Sequence, residues 1–222
     1  MGDLHRLIAF DLDGTLIDSR RDLADSANDL VVELGGQPLA EDDIANMVGE
    51  GASLLVRRAL AAAHVNEPDD AVARFLEFYD RRLLNYTAPY PGIVDVVRHA
   101  REHARVVVLT NKPKGPAVKI LDGLGMADLF DDVLGGDGPL PRKPDPAGLV
   151  ALMDTAGAVS ETTMMVGDSP VDYRTAINAQ VKPCMVSFGF GFAKFSAAEA
   201  GALECVAADA AALHRAIVDW LT

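Results

Sequence analysis

The stretch LIAFDLDGTLIDS, Leu7 to Ser19, decides how the rest of the chain is read. A mostly apolar run leads into Asp11, Leu12, Asp13, Gly14 and Thr15. Two carboxylates two residues apart at the end of such a run repel each other and lose hydration, so they need partners that offset both costs. Residues 6–11 therefore read as a short buried strand that ends in a charged site.

Outward from that strand, Ser19 reads as a helix N-cap with Asp22 three residues on, a variant of the capping box. Leu23, Ala27, Leu30, Val31 and Leu34 follow at helical spacing, and Gly35-Gly36 ends the helix. Two or three further helices follow without an intervening strand. One covers about 51–64. Another, near 69–85, carries Val72, Phe75, Leu76, Tyr79 and Leu83 on one face. TAPYPG, Thr87 to Gly92, cannot continue a helix and reads as a hinge.

Beyond it the texture alternates. Helices are expected near 92–103, 115–124, 146–157, 170–180 and 207–220. Strands are expected at RVVVLT (105–110), 131–134, TMMVGD (163–168) and PCMVSF (183–188). Continuous apolar strands alternating with helices indicate a parallel sheet covered on both faces. The fold class is α/β: a doubly wound, Rossmann-like parallel-sheet core from 1–16 and 89–222, with an α-helical block, 17–88, inserted after the first strand.

The chain has 222 residues and a formal net charge of −13. That balance argues against nucleic acid and against an anionic membrane surface as partners. Cys184 and Cys205 form no metal-binding spacing and read as buried free thiols of a reducing, cytoplasmic setting. No run has the length of a membrane span, and none reads as a signal peptide. A monomer or homodimer is expected.

In open parallel sheets, ligands bind beyond the carboxyl ends of the strands, where the strand order reverses. The expected strand ends carry Asp11 and Asp13; Thr110-Asn111-Lys112; and Gly167-Asp168-Ser169, with Asp172 one helical turn on. The loop RKPDP adds Lys143. Asp11 and Asp168, with the Asp13 backbone carbonyl, suit a hard cation such as Mg²⁺. Asp172 and Ser169 support that site from behind. Thr110 offers a hydroxyl, Asn111 a backbone N–H and Lys143 a positive charge to a phosphoryl group. Four carboxylates against one Mg²⁺ and Lys143 leave a negative excess before any phosphate arrives. Asp13 is then the natural carboxyl to hold a proton and to act as general acid, while Asp11 is the nucleophile.

DLDGT, LTNK, RKPDP and GDSPVD, in this order and over nearly the whole chain, resemble the four motifs of the haloacid dehalogenase superfamily of phosphohydrolases. The resemblance implies Asp11 as nucleophile, Asp13 as acid and base, Thr110 and Lys143 as phosphate ligands, Asp168 as metal ligand and 17–88 as a mobile cap. The second aspartate, Asp13, favours phosphate chemistry over carbon–halogen cleavage. DLDGTLIDSRRDLADSAN, MVGEGASLLVRRAL and NYTAPYPG are similar to the phosphoglycolate phosphatase branch, which implies a small phosphorylated metabolite as substrate. SFGFGF (187–192) and Pro170 depart from that branch. Phosphatases of other small phosphate esters or of pyrophosphate, and sugar-phosphate mutases of the β-phosphoglucomutase kind, stay open as alternatives.

Arg57 and Arg58 are read two ways. Either Arg58 binds a substrate carboxylate, or both are solvated helix charges. His99 and His103 have the i, i+4 spacing of a zinc pair, but no third ligand is evident, and a solvated helix face is the plainer reading.

Overall fold

The computed structural model describes residues 5–222. Strand β1 (Leu7–Phe10) is wholly buried. Its side chains alternate, Ile8 and Phe10 toward one apolar cluster, Leu7 and Ala9 toward another. The chain then turns back through Gly14 into β2 (Ile17–Asp18). Four helices follow: α1 (Arg20–Glu33), α2 (Glu41–Ala45), α3 (Ala52–Ala62) and α4 (Ala71–Asp80). The chain returns as β3 (Ala88–Pro89), which pairs antiparallel with β2.

From there helices and strands alternate: α5 (Ile93–Arg101), β4 (Arg105–Leu109), α6 (Lys114–Gly123), β5 (Asp132–Leu134), α7 (Ala147–Ala156) and β6 (Thr163–Gly167). The last elements are α8 (Pro170–Asn178), β7 (Lys182–Val186), α9 (Ala197–Gly201), β8 (Val206–Ala207) and α10 (Ala210–Leu221). The six-stranded sheet has the order β5-β4-β1-β6-β7-β8 and is parallel throughout. β1 lies between β4 and β6, so the order reverses beside it. The polar ends of these three strands therefore meet at one crevice.

Period-two alternation fills both faces of the sheet. Ile8, Phe10, Val106, Val108, Met164 and Val166 pack with Ile93 and Val97 of α5, Ile120 of α6 and Leu213 and Ile217 of α10. Leu7, Ala9, Val107, Leu109 and Met165 pack with Leu149 and Leu152 of α7 and Ala176 of α8. Each large side chain so buried contributes about 1.5–3 kcal/mol. The helical block has its own packing, with α1 against α2, α3 and α4. The Phe75 and Tyr79 rings on α4 stack with centroids 5.9 Å apart.

Three expectations are corrected. Ser19 does not cap α1 with its side chain, and Asp22 does not close a capping box. Ser19 Oγ instead donates to Asp13 (2.5 Å). One oxygen of buried Asp22 accepts from Tyr86 N–H (2.9 Å), Thr87 N–H (2.8 Å) and Thr87 Oγ1 (2.7 Å). The stretch read as a hinge is thus ordered in this structure. It pairs with β2 and is clamped by Asp22. The cysteines are not free: Cys184 and Cys205 form a disulfide, with Cα atoms 4.7 Å apart. Neighbouring parallel strands bring them together, since Met185 pairs with Val206, one residue beyond each cysteine. Finally, β8 occupies part of the segment expected as the start of the last helix. Among the described residues, no helix is long and apolar enough to cross a membrane.

The Asp22 clamp yields a first prediction. Asp22→Ala strands buried donors on the returning strand, at about 1–3 kcal/mol for each unsatisfied group. We expect the urea midpoint to fall by an amount corresponding to about 3 kcal/mol. A change below about 0.5 kcal/mol, the range of ordinary surface substitutions, contradicts the clamp.

Candidate active site

Asp11 lies just beyond β1, and its N–H still bonds to Val166 O (2.9 Å), so the β1–β6 ladder fixes its place. Gly14 follows at φ 88°, where a side chain is strained. A Cβ there would also lie 2.0 Å from Asp168 Oδ2. The glycine at 14 is therefore required by Asp168, a residue from a different strand end. Gly189 is required likewise: its Cβ would lie 2.1 Å from Gly14 O. Gly191 N–H donates to Asp168 Oδ2 (2.6 Å). The SFGFGF segment thus wraps the Asp168 carboxylate with backbone, which gives a physical reason for its glycines.

Lys143 reaches the same place from the loop before α7, and Asn178 of α8 holds that loop by donating to Pro144 O (2.9 Å). The Lys143 ammonium donates to Asp11 Oδ1 (2.7 Å) and to Asp172 Oδ1 (2.6 Å). Asp172 Oδ2 accepts from Ser169 N–H (3.1 Å) and Ser169 Oγ (2.6 Å) at the start of α8. Asp172 thereby caps its helix and orients Lys143 at once. All four side chains are buried.

Burial pushes the Asp11 carboxyl up to about 6; Lys143 opposes that shift and Asp172 reinforces it. Burial, then Asp172 and Asp11, push Asp168 well above the usual carboxylate range. Burial alone would lower the Lys143 value, but Asp11 and Asp172 outweigh it and hold it above that of a free lysine. Asp11, Asp168 and Asp172 can each place an oxygen within 4.8 Å of the others. Among the described residues, Asp11 Oδ2 and Asp168 Oδ1 accept no hydrogen bond. Two buried carboxylates from different strand ends, with a third behind them, fit a hard divalent cation such as Mg²⁺.

The Asp13 carboxylate has a different partner from this cluster. It pairs with the Lys112 ammonium through both oxygens, at 2.9 and 2.8 Å. Lys112 also donates to Tyr79 Oη (2.8 Å), so α4 of the helical block reaches the core at this point. The lysine side chain is only 4 % exposed. Burial and the nearby lysine, acting in opposite senses, leave the Tyr79 hydroxyl pushed up to about 12, so it stays protonated. This second ammonium corrects the charge count. With Lys112 and Lys143 set against four carboxylates, one divalent cation brings the formal charge of the site to zero. Lys112 and Tyr79 are the residues at this site that sequence reasoning missed.

Thr110 is buried, and its hydroxyl accepts from Lys112 N–H (3.2 Å) while keeping its own proton to give. The Asn111 side-chain amide donates to Gly49 O (3.0 Å) and Lys143 O (2.9 Å), joining the helical block to the Lys143 loop. Lys194, from the segment after β7, adds a link by donating to Val48 O. A cavity of about 40 Å³ lies between block and core. Its lining includes Asp11, Asp13, Thr110 and Lys112 on the core side, and Gly51 and Phe75 on the other. Arg58 does not join this lining. It pairs with Glu50 (2.6 Å) on its own side of the block. Arg57 is exposed and faces Glu67 (3.6 Å).

The sheet order, the crevice and these carboxylates define a phosphohydrolase-type α/β site, and comparison with known proteins gives it a family. The model of the haloacid dehalogenase-like hydrolases matches residues 5–180, and the chain belongs to that family. It is 44% identical over 194 residues to a phosphoglycolate phosphatase of Rhodospirillum rubrum, covering 83% of this chain and 80% of that one. It is 36% identical over 209 residues to a phosphoglycolate phosphatase of Pseudomonas putida, covering 91% and 76%. The crystal structure of a predicted phosphoglycolate phosphatase from Haemophilus somnus 129pt superposes with a TM-score of 0.89 at 27% identity, over 96% of this chain and 98% of that one.

The raised carboxyl values set a pH dependence. A carboxyl with a raised folded-state value binds protons more tightly in the native protein than in the unfolded one. The contribution of Asp11 to the stability of the ion-free protein is therefore lost as pH rises from 3.8 through about 6. A cation competes with those protons and relieves the same repulsion. We expect the Mg²⁺-induced rise in Tm to be small below about pH 6 and to grow above it. Calorimetry with Mg²⁺ and with EDTA across that range checks this, and a pH-independent increment contradicts it.

Proposed function

We propose that this protein hydrolyses a small phosphomonoester, 2-phosphoglycolate, to glycolate and phosphate through an aspartyl-phosphate on Asp11, with Mg²⁺ as cofactor. The observation that carries the reading is the Asp11 carboxylate itself. Lys143 orients it through Oδ1, while Oδ2 accepts no hydrogen bond among the described residues and Asp11 lines a cavity. The names of the relatives support the substrate.

In this reading, Asp11 and Asp168 hold the cation, and Asp172 positions Lys143. When bound, Mg²⁺ supplies positive charge to the phosphoryl oxygens. Thr110 donates its hydroxyl proton to one of those oxygens, the Asn111 N–H serves another, and Lys143 offsets the rest of the charge. Asp11 Oδ2 attacks phosphorus as the bond to the glycolate oxygen breaks. Asp13 gives a proton to that departing oxygen. Asp13 then takes a proton from the water that attacks the aspartyl-phosphate, which frees Asp11 and phosphate.

The second phase of substrate recognition falls to Lys112. An α-carboxylate in the cavity competes with Asp13 for its ammonium. Drawn toward the substrate, Lys112 releases Asp13, which takes up a proton from solvent before the chemical step. The start of α3, at Gly51 and Ala52, lines the same cavity and favours a negative group there. The cavity has room for about three water-sized groups, which suits a two-carbon leaving group better than a hexose. Residues 17–88 act as the cap, opening about β2 and β3 to admit substrate and closing to exclude water. Arg58, paired with Glu50, holds the shape of the cap loop and does not touch the carboxylate.

Two experiments test this. A screen of phosphate esters with Mg²⁺ is expected to rank 2-phosphoglycolate above hexose phosphates and pyrophosphate in kcat/KM; a reversed order contradicts the substrate assignment. Lys112→Met is expected to lower kcat/KM for 2-phosphoglycolate by about 100-fold, the scale of a lost buried charge contact. For p-nitrophenyl phosphate, which lacks the carboxylate and has a leaving group that needs no proton, the loss is expected to stay below about tenfold. Equal losses on both esters give Lys112 a structural role only.

A further inference from the structure

We propose that His99, His103 and Glu102, together with His214, form a second metal site, one for a zinc-class transition cation, on the face of the core that carries α5 and α10. The site is separate from the acidic centre: its residues come from α5, the turn after it, and α10. The i, i+4 pair of imidazoles is not alone. Glu102 Oε2 stands 3.8 Å from His99 Nδ1 and 4.0 Å from His103 Nε2. One ligand atom from each of these residues lies within 4.8 Å of the others. The fourth candidate comes from a different helix. The His214 ring centroid is 4.5 Å from that of His99, and the His103 centroid is 5.0 Å from it on the α5 side.

The donor set defines the cation. Three imidazoles and one carboxylate match the nitrogen-and-oxygen chemistry of Zn²⁺, Co²⁺ or Cu²⁺, whereas Mg²⁺ prefers oxygen ligands. A tetrahedral zinc ion with bonds of about 2.0–2.1 Å needs ligand atoms roughly 3.3 Å apart. The two Glu102 contacts exceed that by about half an ångström or more, and the ligand atoms of His99, Glu102 and His103 are held within 4.8 Å of one another. His103 and Glu102 are exposed, and His99 and His214 partly so, so rotation about their side-chain bonds can close the gap without moving the backbone. A cation there joins α10 to α5. Since α5 begins directly after β3, the C-terminal helix becomes fastened beside the returning hinge strand. The net charge of −13 favours accumulation of cations at such a site.

The experiment uses the full chain, stripped with EDTA, desalted, and held in excess Mg²⁺ so that the acidic centre is occupied. Co²⁺ is added and its visible absorption recorded, then displaced with Zn²⁺. We expect one equivalent of Co²⁺ to give the intense bands of a nitrogen-rich four-coordinate ion and to survive the excess Mg²⁺. The double variant His99→Gln, His103→Gln loses the bands. His214→Gln weakens binding by about tenfold or more. Both variants keep the Tm of the metal-free wild type and its Mg²⁺-dependent activity, which separates failure of this site from failure of the phosphatase reading. Absence of the bands in wild type, their persistence in the double variant, their loss to excess Mg²⁺, or an unaltered affinity in His214→Gln each overturns the site. Any of these leaves the Glu102 contacts as ordinary surface ion pairs.

Discussion

Three buried carboxylates, Asp11, Asp168 and Asp172, crowd the carboxyl end of a parallel sheet, and one buried ammonium, that of Lys143, bridges two of them. Removing such groups from water costs several kcal/mol apiece, and like charges add to the cost. Much of the local structure follows from meeting that cost. Ser169 and Asp172 shape the start of α8 around Lys143. Gly14, Gly189 and Gly191 let backbone approach Asp168 where a Cβ would collide. What remains uncompensated, a free oxygen on Asp11 and another on Asp168, is what a cation and a phosphoryl group would meet.

A second balance ties the helical block to that centre. Asp13 would otherwise add a fourth negative charge, but Lys112 neutralises it, and Tyr79 from α4 holds the lysine. Asn111 and Lys194 add two more links, to Gly49 O and Val48 O, on the loop that leads into α3. In the proposed mechanism, closing the block and arranging the acid–base pair are one event, because Tyr79 of the helical block touches the lysine that touches Asp13. Small leaving groups fit this geometry because the cavity left over is small.

The parts of this structure legible in the sequence are those whose physics is local. β1, β4, β6 and β7 stand out as continuous apolar runs because both faces of a parallel sheet are covered. The stripe of Val72, Phe75, Leu76 and Tyr79 marks α4 because its buried face repeats every turn. The paired aspartates and their companions at the strand ends locate the crevice for the same reason. Elements that depend on distant partners were not legible. β2 and β3 are two residues each and acquire meaning only by pairing across the whole helical block. α2 and α9 span five residues, too few to display a period. The disulfide follows from β8 adding beside β7, a pairing invisible in a two-residue strand. Asp22 looked like a cap because its distant partners, Tyr86 and Thr87, carry no marker. Tyr79 looked like one more core residue. Lys112 offered one faint signal, its place two residues after Thr110 at a strand end, where a side chain returns to the same side.

The central claim is that the Asp11 carboxylate becomes esterified during turnover. Acid quenching during steady-state hydrolysis of 2-phosphoglycolate with Mg²⁺, followed by borohydride reduction and peptide mass spectrometry, tests it most directly. A phosphorylated aspartate is reduced to homoserine, whereas a free carboxylate is untouched. The account predicts homoserine at position 11 only when substrate and Mg²⁺ are both present. Homoserine at position 13, or an unmodified Asp11 in enzyme quenched while turning over, contradicts it.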